Sequence, residues 1–206
     1  MKNKSLSAGT IAGLAILTAV VIILQLLGSF IHFGPFSISL VLIPIVVGAA
    51  VYGKWAGAWL GFVFSVVVLI MDAQAFLVIS VPGTILTVIL KGTLAGLVAG
   101  IVYDLFRKWA LVFKNLDTEK ESWQINIGVV LAAIICPVVN TGIFLLGCTV
   151  FFLPTIREWG AAAGYSNVGA YMLYGFVGGN FLFELLFNLI LSPTIVQIIR
   201  LGKRRL

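Results

Sequence analysis

Charge is scarce in this chain. Asp, Glu, Lys and Arg make up 10% of the residues, against about 25% in soluble domains, which excludes an ordinary water-soluble fold. Histidine occurs once, as His32, so a multi-histidine metal site is excluded. His32 stands beside Phe33-Gly34-Pro35 and reads as a loop histidine at an interface or as a ligand group. Cysteine occurs twice, as Cys136 and Cys148. Both fall in one apolar run without CxxC or zinc spacing and read as buried thiols. There is no serine nucleophile elbow and no HExxH helix. The nearest approach to a nucleotide motif is Gly48-Ala-Ala-Val-Tyr-Gly53-Lys54-Trp55. A P-loop needs Ser or Thr after its Lys to hold magnesium. Trp55 occupies that place, and the stretch ends an apolar segment instead of leaving a strand. The chain is expected to carry no ATPase and no cofactor of its own.

What fills the chain is apolar. Hydrophobic residues make up 61% of it, in six continuous runs: Ala8–Ile31, Ser37–Tyr52, Trp55–Met71, Pro82–Phe106, Ile125–Leu153 and Tyr171–Ile199. About 20 apolar residues cross a bilayer as a helix, and most of these runs suffice. Outer-membrane barrels read as short alternating segments; continuous runs require helices, which satisfy their own backbone in lipid. The expected fold is therefore an all-α integral membrane protein, a six-transmembrane-helix bundle forming one domain over residues 1–206. The second run is short and contains Pro44, which predicts a kink, a tilt, or burial by its neighbours. The basic stretch Met1–Ser7 resembles the start of a signal peptide. The run after it is longer than a signal core and no cleavage site stands out, so it is read as the first membrane helix.

The basic residues set an orientation. Eleven of the 13 fall at one side of the alternating segments: Lys2, Lys4, Lys54, Arg107, Lys108, Lys114, Lys120, Arg200, Lys203, Arg204 and Arg205. The other side receives Arg157. Both termini are thus expected to be cytoplasmic, as is the polar loop Arg107–Gln124. Topology explains the net charge of +6 without nucleic acid. The outer loops would be His32–Phe36, Asp72–Val81 and Pro154–Ala170.

Two titratable groups lie at depth, Lys91 in the fourth run and Glu184 in the sixth. A charge at the centre of a spanning helix costs roughly 2.5–3.5 kcal/mol, so each needs a partner or a task. A rise of about 1.5 Å per residue puts Lys91 and Glu184 below the outer ends of their helices. Asn140 and Asn180 come to comparable depth. Asn180, Glu184 and Asn188 share one helix face. Two readings follow, and they are compatible. In one, Lys91 and Glu184 form a buried ion pair dressed by the amides; in the other, they wall a pocket for a small polar molecule. Asp72, Gln74, Trp159, Tyr165, Asn167 and Tyr171 lie close above. Their aromatics would either stack a ring or form the interfacial belt. Gln25 on the first helix is a further candidate.

Small residues recur at four-residue spacing, as in Ala8/Ala12, Gly9/Gly13, Ala15/Ala19, Gly57/Gly61, Gly92/Gly96/Gly100 and Gly175/Gly179. Such faces let helices approach closely. Most read as packing within the bundle, but the long small-residue face of the first helix also suits another membrane protein.

These features together resemble the substrate-binding S components of the energy-coupling factor (ECF) transporters, which take up vitamins. The first helix, Ala12-Gly-Leu-Ala15-Ile-Leu-Thr-Ala19, is similar to that family's docking helix. Gly34-Pro-Phe-Ser-Ile-Ser-Leu and the short helix ending Gly48-Ala-Ala-Val-Tyr-Gly53 follow. Gly57-Ala-Trp-Leu-Gly61, Lys91-Gly92-Thr-Leu-Ala-Gly96-Leu-Val-Ala-Gly100, Asn180-Phe-Leu-Phe-Glu184 and Leu191-Ser-Pro193 complete the resemblance. It covers about Ala8 to Ile199. It implies a six-helix bundle in a bacterial plasma membrane, with a vitamin-like small molecule bound at its outer face. It also implies a T component and two ATPase subunits as partners, and a loaded S component that topples in the membrane. Ala15 and Ala19 would then dock the T component, while Lys91, Asn140, Asn180 and Glu184 would contact the substrate.

The substrate stays open. Lys91 would suit the carboxylate of pantothenate or a folate-like compound, and Asn140 and Asn180 a flavin-type ring edge as in riboflavin. Lys91 and Glu184 together leave a net charge near zero, which disfavours a strongly anionic ligand. The alternative function is a self-sufficient proton- or sodium-coupled carrier with Glu184 as relay, although the two halves show no inverted repeat. A membrane enzyme would need a nucleophile or metal beside Lys91 and Glu184; a ligand-free scaffold would need them only for folding.

Overall fold

The computed structural model describes residues 8–30, 32–33, 36–37, 40–113 and 118–203. Met1–Ser7, Gly34-Pro35, Lys114 and Arg204–Arg205 lie outside the described residues. In chain order the elements are α1 (Ala8–Gly28), β1 (His32–Phe33), β2 (Phe36–Ser37), α2 (Leu42–Tyr52), α3 (Lys54–Met71) and α4 (Gln74–Leu77). There follow α5 (Val81–Phe113), α6 (Thr118–Phe151), α7 (Leu153–Ala162), α8 (Val168–Ala170), a π-helical turn (Tyr171–Phe176) and α9 (Gly178–Lys203). The protein is thus a multi-pass helical membrane bundle. Among the described residues, five helices are long and apolar enough to cross a bilayer: Ala8–Gly28, Lys54–Met71, Val81–Ala110, Trp123–Phe151 and Gly178–Ile199.

The second apolar run forms the 11-residue helix α2, about 16 Å long and too short to span alone. It lies inside the bundle instead: Leu42, Ile45 and Val46 are fully enclosed, and α1, α3, α5, α6 and α9 all pack on it. The run starts five residues later than its hydropathy suggested, because His32–Phe33 pairs antiparallel with Phe36–Ser37. Pro44 produces no kink. It sits in the first turn of α2, where its missing N–H would have had no helical partner.

α2 passes into α3 at a single corner residue, Gly53, with φ 96°. Only glycine holds that left-handed conformation without strain. The stretch that imitates a P-loop is therefore a helix–corner–helix. α3 then packs on α5 backbone to backbone. A methyl group on Gly57 would meet the Gly96 carbonyl, and one on Gly61 the Gly92 carbonyl. These glycines serve packing inside the bundle. Thr87 against Gly147 and Phe106 against Gly128 fix α5 and α6 as antiparallel neighbours.

Three further expectations need correction. The supposed polar loop Arg107–Gln124 is mostly helical, since α5 runs to Phe113 and α6 starts at Thr118. Two supposed loops contain α4 and α7. The sixth helix does not begin at Tyr171: the π turn starts there and runs to Phe176, a bend at Val177 follows, and α9 starts at Gly178. Glu184 consequently lies only about 9 Å along α9, not the roughly 20 Å counted from Tyr171.

Candidate substrate-binding site

Alternation of the helices gathers the ends of α1 and α3, the starts of α5 and α9, the end of α6, and the short α4 and α7 at one end of the bundle. Lys91 lies about 15 Å below the start of α5. Aromatic groups hold its ammonium: Nζ is 5.1 Å from the centroid of the Phe144 ring and 5.7 Å from that of Phe64. Such cation–π contacts are strongest where water is excluded. Two carboxylates, Glu184 and Asp72, act on Lys91 through their charge.

Glu184 is 1% exposed. Its Oε1 accepts a hydrogen bond from Asn180 Nδ2 at 3.1 Å, and its backbone carbonyl accepts one from Asn188 Nδ2 at 2.8 Å. The i, i+4, i+8 spacing therefore yields a continuous polar ladder on α9. Asp72, just past α3, is tied to α1: its Oδ2 accepts from Gln25 Nε2 at 2.9 Å and from Ser29 Oγ at 2.8 Å. Gln25 is fully enclosed, as a polar residue in such a network can be without penalty.

Asn140 is placed by its neighbours on α6. Cys136, Asn140, Phe144 and Cys148 stand on successive turns of one face. The charge of Glu184 reaches Cys136, that of Lys91 reaches Cys148, and the Phe144 ring touches Lys91. Asn140 thus lies on the face that meets both charges. It is 4% exposed, and its Oδ1 has no hydrogen-bond donor among the described residues; the same is true of Asn180 Oδ1, Asn188 Oδ1 and Thr87 Oγ1. Buried acceptors left without a donor cost about 1–3 kcal/mol each.

Above these groups lies an aromatic cluster. Phe76 of α4 meets Phe144, Phe152 and Trp159 edge-on at 5.0–5.8 Å. Phe176 of the π turn stacks on Phe144 at 6.1 Å. Phe144 therefore joins the cluster to the Lys91 ammonium. Tyr171, outside the spanning helices, packs against Tyr165 with ring centroids 5.3 Å apart. Burial and the neighbouring Tyr165 push its hydroxyl up from its ordinary pKa, so it is a neutral donor at physiological pH.

The structure brings Lys91, Asn140, Asn180 and Glu184 into one region of α5, α6 and α9. Ala15 and Ala19 are elsewhere, exposed on the outer side of α1. A shallow groove of about 430 Å³ lies beside Ala15, lined by Thr10, Ile11, Leu14, Thr18 and Trp59. The sequence singled out neither Phe64, Phe144 nor Ser29. Two phenylalanines in apolar runs carry no signal, but Ser29 stands four residues after Gln25, a helical spacing that could have paired them.

A family model described as ECF transporter, substrate-specific component, matches residues 10–196. No curated protein matches the chain. Among solved structures, ThiT from Listeria monocytogenes aligns with a TM-score of 0.61 at 19% identity, over 92% of this chain and 96% of that one. The likeness shows a shared fold.

Proposed function

The chain belongs to the family of ECF transporter substrate-specific components, and from that premise we propose that it captures a water-soluble vitamin or related micronutrient outside a bacterial plasma membrane. A T component and two ATPase subunits then drive delivery inward. Both termini lie on the cytoplasmic side, by the eleven-to-one bias of basic residues. The site end of the bundle, with α4 and α7, faces out.

The observation that carries this reading is the convergence of Lys91, Asn140, Asn180 and Glu184 beneath an aromatic cluster. Three long helices bring together a cation, a carboxylate and buried amide oxygens that lack donors among the described residues. A bundle built only to fold gains nothing from such oxygens, whereas a binding site meets its substrate with them. The second support is the small exposed face of α1. Ala12, Ala15 and Ala19 are not covered by the bundle, unlike the glycines of α3 and α5. Small residues there permit close approach of a T-component helix.

The test is to purify the protein alone in detergent, denature it and identify by mass spectrometry what it releases. A stoichiometric micronutrient establishes the binding subunit and names its substrate. An empty protein whose melting temperature is unmoved by any water-soluble vitamin would sink the proposal.

A further inference from the structure

Ring faces, and not a carboxylate, hold the Lys91 ammonium. Nζ lies 5.1 Å from the centroid of Phe144 and 5.7 Å from that of Phe64, and among the described residues it makes no hydrogen bond or ion pair. The nearby amides are committed: Asn180 Nδ2 donates to Glu184 Oε1, and Asn188 Nδ2 to the Glu184 carbonyl. A ring face attracts the charge of an ammonium without claiming a particular N–H. The three donors of a lysine are then available to a further acceptor. The two rings are anchored differently. Phe64 is 1% exposed in the seam of α3 and α5, where its ring would meet a methyl group on Gly92; the frame of the bundle fixes it. Phe144, on α6, meets Phe76 of α4 edge-on at 5.6 Å and stacks with Phe176 of the π turn at 6.1 Å, the planes 24° apart. Phe144 therefore connects the cation to two short elements, of four and six residues, at the outer end of the bundle.

We infer that Phe144 is a positioning residue for substrate binding. It holds the Lys91 ammonium by its charge and leaves the N–H groups for an acceptor atom of the substrate, and α4 and the π turn reach the cation through this one ring. The inference rests on the binding-subunit reading above and deepens it. Phe64 supplies the fixed side of the cation's seat and Phe144 the side that responds. A rearrangement of α4 or of the π turn displaces Phe76 or Phe176, shifts the ring on which they rest, and changes the aim of the ammonium. A salt bridge in the same place would bind Lys91 to one acceptor and take no account of the outer elements.

The experiment compares the full-length purified protein with its Phe144→Leu and Phe144→Tyr variants. The probe is a small-molecule ultrafiltrate of yeast extract, and the readout is the concentration at which it half-maximally raises the melting temperature. Phe144→Leu stays apolar but has no ring face, and should need ultrafiltrate about tenfold or more concentrated. Phe144→Tyr keeps the face and should stay within about threefold of the unaltered protein. An unchanged requirement in Phe144→Leu overturns the inference, and so does an equal loss in both variants, which would assign Phe144 to packing. No response of the unaltered protein at any concentration overturns the binding-subunit reading and the inference with it. The second measurement uses no ligand. Phe144→Leu should lower the melting temperature by about 2 °C more in the presence of Lys91 than in a Lys91→Met background; equal shifts would remove the contact on which the inference stands. Should Phe144→Leu fail to fold, Phe176→Leu removes the stacking partner and leaves Phe144 in place. It should also raise the concentration required, and an unchanged requirement overturns the role given to the π turn.

Discussion

α5 meets its neighbours in two different ways. Toward α3 it presents Gly92 and Gly96, and the two backbones touch with no side chain between them. Toward α6 it presents Thr87, packed on Gly147, and Lys91, whose ammonium lies over the Phe144 ring, so contact is made by side chains, a ring face and a charge. The first seam depends on the absence of atoms and tolerates no addition. The second depends on particular side chains and tolerates their replacement by others of similar shape. The same helix is thereby fixed by one face while another is open to chemical variation, which is what binding proteins with different substrates require of a common frame.

Four substitutions separate the two kinds of contact. The largest effect is expected at the dry seam: Gly61→Leu drives a side chain into the Gly92 carbonyl and destabilises by roughly 3 kcal/mol or more. Size-exclusion chromatography after detergent extraction should show loss of the monodisperse bundle; a normal profile would mean that the seam can spread. Next is Ala15→Trp, on the exposed face of α1. It should abolish uptake by cells that carry the whole transporter while the purified protein binds substrate as before; undiminished uptake removes this face from docking. Glu184→Gln keeps an oxygen for Asn180 and removes the charge. It should weaken substrate binding by more than about tenfold, or about 1.4 kcal/mol, with the melting temperature of the free protein little changed. Equal affinity by calorimetry would assign Glu184 to the scaffold. The smallest effect belongs to Ser29→Ala, which deletes one of two hydrogen bonds to Asp72 while Gln25 still donates, a loss of about 1 kcal/mol. A drop of a few degrees in melting temperature is expected; no change would show that Gln25 alone holds the carboxylate.

The sequence disclosed these regions unequally, for physical reasons. Lys91 and Glu184 stand out because lipid makes every buried charge conspicuous. Asn140 and Asn180 follow from helical spacing and depth. Phe64 and Phe144, which hold the ammonium, are invisible among 15 phenylalanines, since an aromatic on a spanning helix looks the same facing lipid or a charge. The glycine pairs were legible as close-packing faces, but not which would meet another helix of the bundle. Only the structure sets Gly57 and Gly61 against Gly96 and Gly92 while leaving Ala15 and Ala19 outside. The short helices α4 and α7 were missed because four to ten residues between long apolar runs carry too little periodicity to read. α2 was taken as a possible span by hydropathy, which does not distinguish lipid from the interior of a bundle as apolar surroundings.

The π turn at Tyr171–Phe176 holds one residue more than an α-helical ladder would. It is a store of slack in the chain. A residue lost between Tyr171 and Phe176 can be absorbed by tightening that turn, with α9 kept in phase. A residue lost inside α9, between Asn180 and Glu184, has no such reserve. It would swing the carboxylate about 100° around the helix axis and out of line with Asn180. Length variation among related chains is therefore tolerable on one side of Val177 and disruptive on the other.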